Sequence, residues 1–67
     1  MYKIGSIVEV IDATETDELM NIYNGMIGEV VGIRSSIEVK VTFQLGNMTS
    51  YSFYPMYTNQ LKLISNM

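Results

Sequence analysis

The sequence predicts an all-β domain, residues 1–67, in which five short strands form a small barrel. Apolar residues make up 48% of the chain, which is too many for a disordered protein. Five β-rich segments are separated by turn residues. In a chain this short, five strands can bury their apolar faces only if the sheet closes into a small barrel. The predicted strands are residues 4–11, 25–33, 37–45, 51–54 and 60–64.

The first strand carries its apolar residues on both faces. Val8 and Val10 share one face with Glu9 between them, while Ile7 and Ile11 fall on the other face. The alternation therefore predicts that Val8 and Val10 point into the core.

A long first connection, residues 12–24, interrupts the β pattern. Thr16 is expected to cap a short helix whose first turn holds Asp17 and Glu18, as the helix dipole prefers. An apolar stripe follows at helical spacing, formed by Leu19, Ile22 and Tyr23. Asn24-Gly25 supplies the left-handed residue that ends the helix. An irregular loop is equally compatible with this composition.

The middle strands show the clearest periodicity. Gly28 and Gly32 predict a bulge or a sharp bend, and residues 34–36 predict a turn. The following segment alternates strictly and predicts one core-facing side, formed by Ile37, Val39, Val41, Phe43 and Leu45. Gly46-Asn47 is typical of a hairpin turn.

The last third of the chain contains an aromatic strand and a final apolar strand. Tyr51 and Phe53 share a face that we expect to be core, and Pro55 is expected to end their strand. A 3₁₀-type turn is predicted over residues 55–59. The last strand returns to the core through Leu61 and Leu63.

The order of these elements resembles that of SH3-like barrels, and within them photosystem I reaction-centre subunit IV and the electron-transport accessory proteins. The resemblance rests on Gly5, Val8, Val10, Tyr23, Gly25, Gly28, Val30, Val31, Val39, Val41, Phe43, Leu61 and Leu63. It implies a five-stranded SH3-like barrel that works as a small docking subunit of a larger complex.

A local resemblance links residues 51–55 to the plasmid-borne, trimethoprim-insensitive dihydrofolate reductase, which is also a small barrel. That family uses a Gln-Ile-Tyr strand at a pore formed by four chains. Tyr54 and Phe53 match its Tyr and Ile, but Ser52 replaces its Gln. Acidic residues 12–18 also replace its basic stretch and would repel an anionic cofactor. The resemblance therefore implies a third function class, an enzyme, that these departures disfavour.

Composition excludes several function classes. The chain has no Cys and no His, so disulfides, the usual zinc sites and the common catalytic triads are excluded. The lack of disulfides favours a cytoplasmic location, and we expect no signal peptide and no membrane span. Frequent Ile, Asn and Met are consistent with an AT-rich phage or mobile element.

Charge disfavours nucleic acid as the partner. The net charge is −3 and only four residues are basic, so phosphate-driven affinity would be weak. A nucleic-acid-binding barrel is nevertheless the second function that this small β fold allows, with lysines and tyrosines clamping a single strand. The two functions differ in their expected sensitivity to salt.

The leading prediction is a non-enzymatic protein-interaction module, without cofactor or metal, that binds a protein partner or a further copy of itself. Tyr and Met are enriched at interface cores, and acidic loops accelerate docking onto basic patches. The candidate contact residues are Asp17, Glu18, Met20, Tyr23, Tyr54, Met56 and Tyr57. The acidic loop could alternatively bind a cation, but a solvated loop with a helix start explains its composition better.

Overall fold

The computed structural model describes residues 2–43 and 53–66. These residues form five strands, one short α-helix and one 3₁₀ turn. In chain order the elements are β1 (Ile7–Val10), α1 (Glu15–Leu19), β2 (Ile27–Ile33), β3 (Glu38–Phe43), β4 (Tyr54–Tyr57), the 3₁₀ turn (Thr58–Gln60) and β5 (Leu61–Ser65). No helix in the described part of the chain is long and apolar enough to cross a membrane.

The strands form one antiparallel sheet in the order β4-β3-β2-β1-β5. The first four strands pair with their neighbours in sequence, and β5 returns to pair with β1. The predicted five-stranded, mostly β fold is confirmed, as is the 3₁₀ turn before the last strand. The first connection contains a short helix rather than only irregular backbone.

The core is formed by inward-facing residues of all five strands and by one residue of the first connection. Its members are Val8, Val10, Ile22, Val30, Val39, Val41, Phe43, Met56 and Leu61. The predicted alternation is confirmed in β1 and β3, where every second residue is buried. Ile37, in contrast, precedes β3 and is exposed, and Leu45 lies outside the described residues.

The two glycines of β2 have different roles. The register between β2 and β3 shifts between Val30 and Gly32, which confirms a bulge at this end of the strand. Gly28 lies in regular pairing, but a Cβ at this position would approach Val41 Cγ1 to 2.6 Å and Phe43 Cε1 to 2.8 Å. Only glycine allows both of these core side chains to pack against the strand backbone.

The aromatic segment departs from the prediction. Phe53 is 47% exposed and lies under the Lys40 ammonium group, 4.6 Å from the ring centroid, so it is not a core residue. Pro55 lies inside β4 instead of ending the preceding strand. Leu63 is partly exposed, whereas Leu61 is buried as predicted. Tyr51 and the predicted turn at residues 46–47 lie outside the described residues.

The proline is accommodated because β4 is the terminal strand of the sheet order. The Tyr57 N–H donates to the Gln60 side-chain oxygen at 3.0 Å, whereas the Thr58 N–H donates to the Ile37 carbonyl on the β3 side. Pro55 lies two residues before Tyr57, on the same side of the strand, and has no N–H. On the outer edge of β4 the Tyr57 N–H is therefore already bonded, and Pro55 has no N–H to offer. Both features disfavour pairing of this edge with another strand.

Candidate functional site

Thr14 is the N-cap of helix α1, which begins at Glu15. The Thr14 hydroxyl oxygen accepts a hydrogen bond from the Asp17 N–H at 3.2 Å, and the Asp17 carboxylate accepts one from the Thr14 N–H at 3.0 Å. This reciprocal pair is a capping box. The predicted cap at Thr16 is therefore wrong, because Thr16 lies inside α1 and Thr14 is the N-cap.

The Asp17 side chain connects α1 to the far end of the chain. Its carboxylate accepts hydrogen bonds from the Tyr54 hydroxyl at 2.6 Å and from Gln60 Nε2 at 2.9 Å. Gln60 Nε2 also donates to the Asp12 carbonyl at 3.0 Å. One buried carboxylate thus joins the first connection, β4 and the 3₁₀ turn. We call these bonds, together with the Thr14 capping box, the Asp17 network.

The network keeps Asp17 ionised although the residue is only 6% exposed. Burial alone raises the pKa of a carboxyl group, but the hydrogen bonds donated by Tyr54, Thr14 and Gln60 favour the charged form more strongly. The resulting pKa of Asp17 lies below its ordinary value. At neutral pH this carboxylate therefore holds the helix in one position.

Helix α1 faces the core with a polar residue and solvent with an apolar one, the reverse of an ordinary amphipathic helix. It buries Asp17 and leaves Leu19 83% exposed. The predicted stripe of Leu19, Ile22 and Tyr23 is wrong because α1 ends at Leu19 and Asn21 adopts a left-handed conformation with φ 65°. Of the three residues in the predicted stripe, only Ile22 is buried in the core. The helix therefore ends five residues before the predicted end at Asn24-Gly25.

The structure separates the predicted contact residues into three groups. Four are exposed: Glu18, Met20, Tyr23 and Tyr57. Tyr54 is half-buried and its hydroxyl is bound to Asp17, so these two predicted residues do meet. The expectation that Asp17 lies at the surface is wrong, since its carboxylate is turned inward. Met56 is 1% exposed and belongs to the core, which corrects its placement on the surface.

One residue missing from the predicted contact set is Leu19. It lies next to Met20 and four residues before Tyr23, and all three side chains are exposed. We define the α1 surface as Glu15, Glu18, Leu19, Met20 and Tyr23. Helical spacing assigned Leu19 to one apolar stripe with Ile22 and Tyr23, whereas the structure turns Asp17 inward and leaves Leu19 exposed.

Charge is distributed very unevenly along the chain. Residues 4–33 contain six of the seven carboxylates and none of the four basic residues. Four of those carboxylates belong to residues 12–18, next to or within α1. In the described part of the chain no three acidic side chains converge into a set that could hold a metal ion.

A separate pocket of about 210 Å³ opens beside the β2–β3 turn. It is lined by Tyr2, Ile33, Ser35, Ser36, Val39 and Thr58. The Tyr2 hydroxyl donates to the Leu61 carbonyl at 3.1 Å, and burial raises the pKa of this phenol. The lining thus offers apolar groups and hydroxyls, with one phenol that stays protonated at neutral pH.

Comparisons of the chain with protein-family models, with curated proteins and with solved structures find no match.

Proposed function

We propose that this chain is a small, non-enzymatic protein-interaction module that docks onto a protein partner through the α1 surface. The observation that carries the proposal is the orientation of α1, which buries a carboxylate and exposes Leu19. Because Leu19 is 83% exposed, it contributes little to the stability of the fold. Burial of such a side chain against a partner contributes about 1.5–3 kcal/mol.

Hydrogen bonds and one buried residue also tie α1 to the rest of the fold before any partner binds. The Thr14 capping box fixes the start of the helix, the Asp17 network fixes its middle, and buried Ile22 anchors the chain after it. A surface that is ordered in advance loses little conformational entropy on binding. Rigid support beneath an exposed apolar side chain favours a docking role over a purely structural one.

The architecture that we propose is an SH3-like barrel. The pairing of β5 with β1, the long first connection and the 3₁₀ turn between β4 and β5 support this assignment. Function is argued from the site and not from this likeness, since one fold hosts many functions. The sequence also has no Cys nucleophile and no His base, which supports a module that binds rather than catalyses.

The test is capture of a partner from a lysate of the source organism by three tagged proteins. These are the wild type, Leu19→Ser and a matched control, Ile64→Ser, which changes an exposed residue of β5. Because both side chains are exposed, each change should alter the free energy of unfolding by less than about 0.5 kcal/mol. Circular dichroism checks that both variants are folded.

The expected result is one protein that the wild type and Ile64→Ser retain and Leu19→Ser loses, with or without nuclease. Retention by Leu19→Ser would remove the α1 surface from the proposal. Loss of the captured protein after nuclease treatment would instead indicate a nucleic-acid-binding barrel. Tyr57, which is exposed on β4, stays a proposed contact residue, and Tyr57→Ala in the same assay tests it.

A further inference from the structure

We infer that the α1 surface is built for a basic partner, namely a segment that places an apolar side chain on Leu19 and flanks it with Lys or Arg. This inference rests on the proposed docking function and names the chemistry of the partner. Its two grounds are the apolar centre of the surface and the carboxylates around it.

The apolar centre comes from three side chains within five residues of chain: Leu19, Met20 and Tyr23. All three are exposed. Leucine and tyrosine offer a large contact area, and methionine adapts its shape to the partner. A partner that contacts residues 19–23 can therefore bury an aliphatic or aromatic anchor residue against Leu19, as the centres of protein interfaces commonly do.

The charge around this centre is of one sign. Glu15 and Glu18 are exposed on α1 itself, and Asp12 is exposed just before it. Since residues 4–33 hold no Lys or Arg, no basic side chain on neighbouring parts of the first connection offsets them. A partner with acidic residues at its contact face would be repelled, and a basic one would be attracted.

All four basic residues lie outside residues 4–33: Lys3 precedes β1, and the other three are on or beside β3 and β5. Arg34 lies 3.8 Å from the Glu38 carboxylate at the start of β3, and the Lys40 ammonium group lies over Phe53. Lys62 lies opposite Glu9 in the register of β5 and β1. The negative potential at α1 is therefore available to steer an approaching cation, an effect that raises association rates by roughly 10- to 1000-fold.

The test uses three synthetic amphipathic peptides with the same leucine face and with Lys, Gln or Glu on the polar face. Each peptide is titrated into the ¹⁵N-labelled full chain, with the amides of Leu19, Met20 and Tyr23 as reporters. The Glu15→Gln/Glu18→Gln double variant removes the flanking charge, and Glu29→Gln on β2 is the matched control for one lost carboxylate.

The Lys peptide should bind at the reporter amides, and the Gln and Glu peptides should bind progressively more weakly. Binding of the Lys peptide should weaken about threefold to tenfold in the double variant. It should stay unchanged in Glu29→Gln, and its association rate should fall with added salt.

Three results would overturn the inference. Equal binding of the three peptides at the reporter amides would leave α1 as a docking surface without charge selection, so the proposed function would stand. Failure of all three to shift these amides would reject a basic amphipathic partner, while the lysate capture judges the docking function separately. Shifts that depend on protein concentration without peptide would assign the surface to a second copy of the chain.

Discussion

Replacement of Asp17 by Ala should destabilise the fold by about 3 kcal/mol or more. The substitution removes a buried, charged acceptor that receives hydrogen bonds from Tyr54, Gln60 and Thr14. Each hydrogen bond to a charged group contributes roughly 1.5–3 kcal/mol, and such losses within one network are not fully additive. The expected loss is a large share of the roughly 3–10 kcal/mol available to a chain of this length.

The substitution Asp17→Asn removes the charge of the side chain while its hydrogen bonds can remain. The carboxamide oxygen can still accept from Gln60 and Thr14, and its NH₂ group can donate to the Tyr54 hydroxyl once that hydroxyl rotates. Only the charge is lost, so we expect a smaller destabilisation of about 1 kcal/mol. Asp12→Asn, which changes an exposed carboxylate, should leave the stability within about 0.5 kcal/mol of the wild type.

The contribution of the Asp17 charge should depend on pH. The pKa of Asp17 is lower in the folded protein than in the unfolded chain, so folding favours the ionised form. The stabilisation is therefore complete above the unfolded pKa, about 4, and is lost as the pH falls through the lower folded value. The gap between wild type and Asp17→Asn should close in acid.

Urea unfolding followed by circular dichroism at pH 7 and again at about pH 2.5 measures both effects. The predicted order of stability at pH 7 is wild type and Asp12→Asn, then Asp17→Asn, then Asp17→Ala. An Asp17→Ala protein within about 0.5 kcal/mol of the wild type would refute the stabilising role of the network. A gap between wild type and Asp17→Asn that persists undiminished in acid would refute the role of its charge.

Five further substitutions test three local features of the fold. Gly28→Ala should cost about 1–3 kcal/mol in thermal unfolding, because its Cβ would overlap buried core atoms. Gly32→Ala should cost less than Gly28→Ala, since its Cβ would meet only a flexible lysine side chain; equal losses would contradict this packing. Thr14→Ala should lower the stability by about 1 kcal/mol, while Thr16→Ala changes it little, and the reverse order would place the cap at Thr16. Pro55→Val adds a donor to the β4 edge and should produce concentration-dependent association by light scattering; a mass that stays constant would contradict edge protection.

The strands and most of the core were predictable because a half-buried strand alternates with period two. Val8 and Val10 in β1, and Val39 and Val41 in β3, follow this rule and are buried. Met56 obeys the same rule, but the prediction ended its strand at Pro55 and so placed it at the surface. A proline is compatible with the terminal strand of a sheet, and sequence alone did not show that β4 is terminal.

The candidate site was less predictable because its geometry depends on contacts between distant residues. The spacing of Leu19 and Ile22 indicates one helical face only if the helix continues, and the left-handed Asn21 shows that it does not. The direction of α1 is set by the bond between Asp17 and Gln60, which are 43 positions apart. The capping box at Thr14, in contrast, was visible in the sequence as a threonine followed three residues later by an acid.

The measurement that tests the docking surface most directly is an NMR titration of the labelled chain with the protein captured from the lysate. We predict that the largest amide shifts fall within residues 15–23, and that Leu19→Ser abolishes them while the core amides of β1 and β3 stay in place. Shifts confined to β4 or to the pocket beside Tyr2, with residues 15–23 unaffected, would contradict the assignment of α1 as the contact surface.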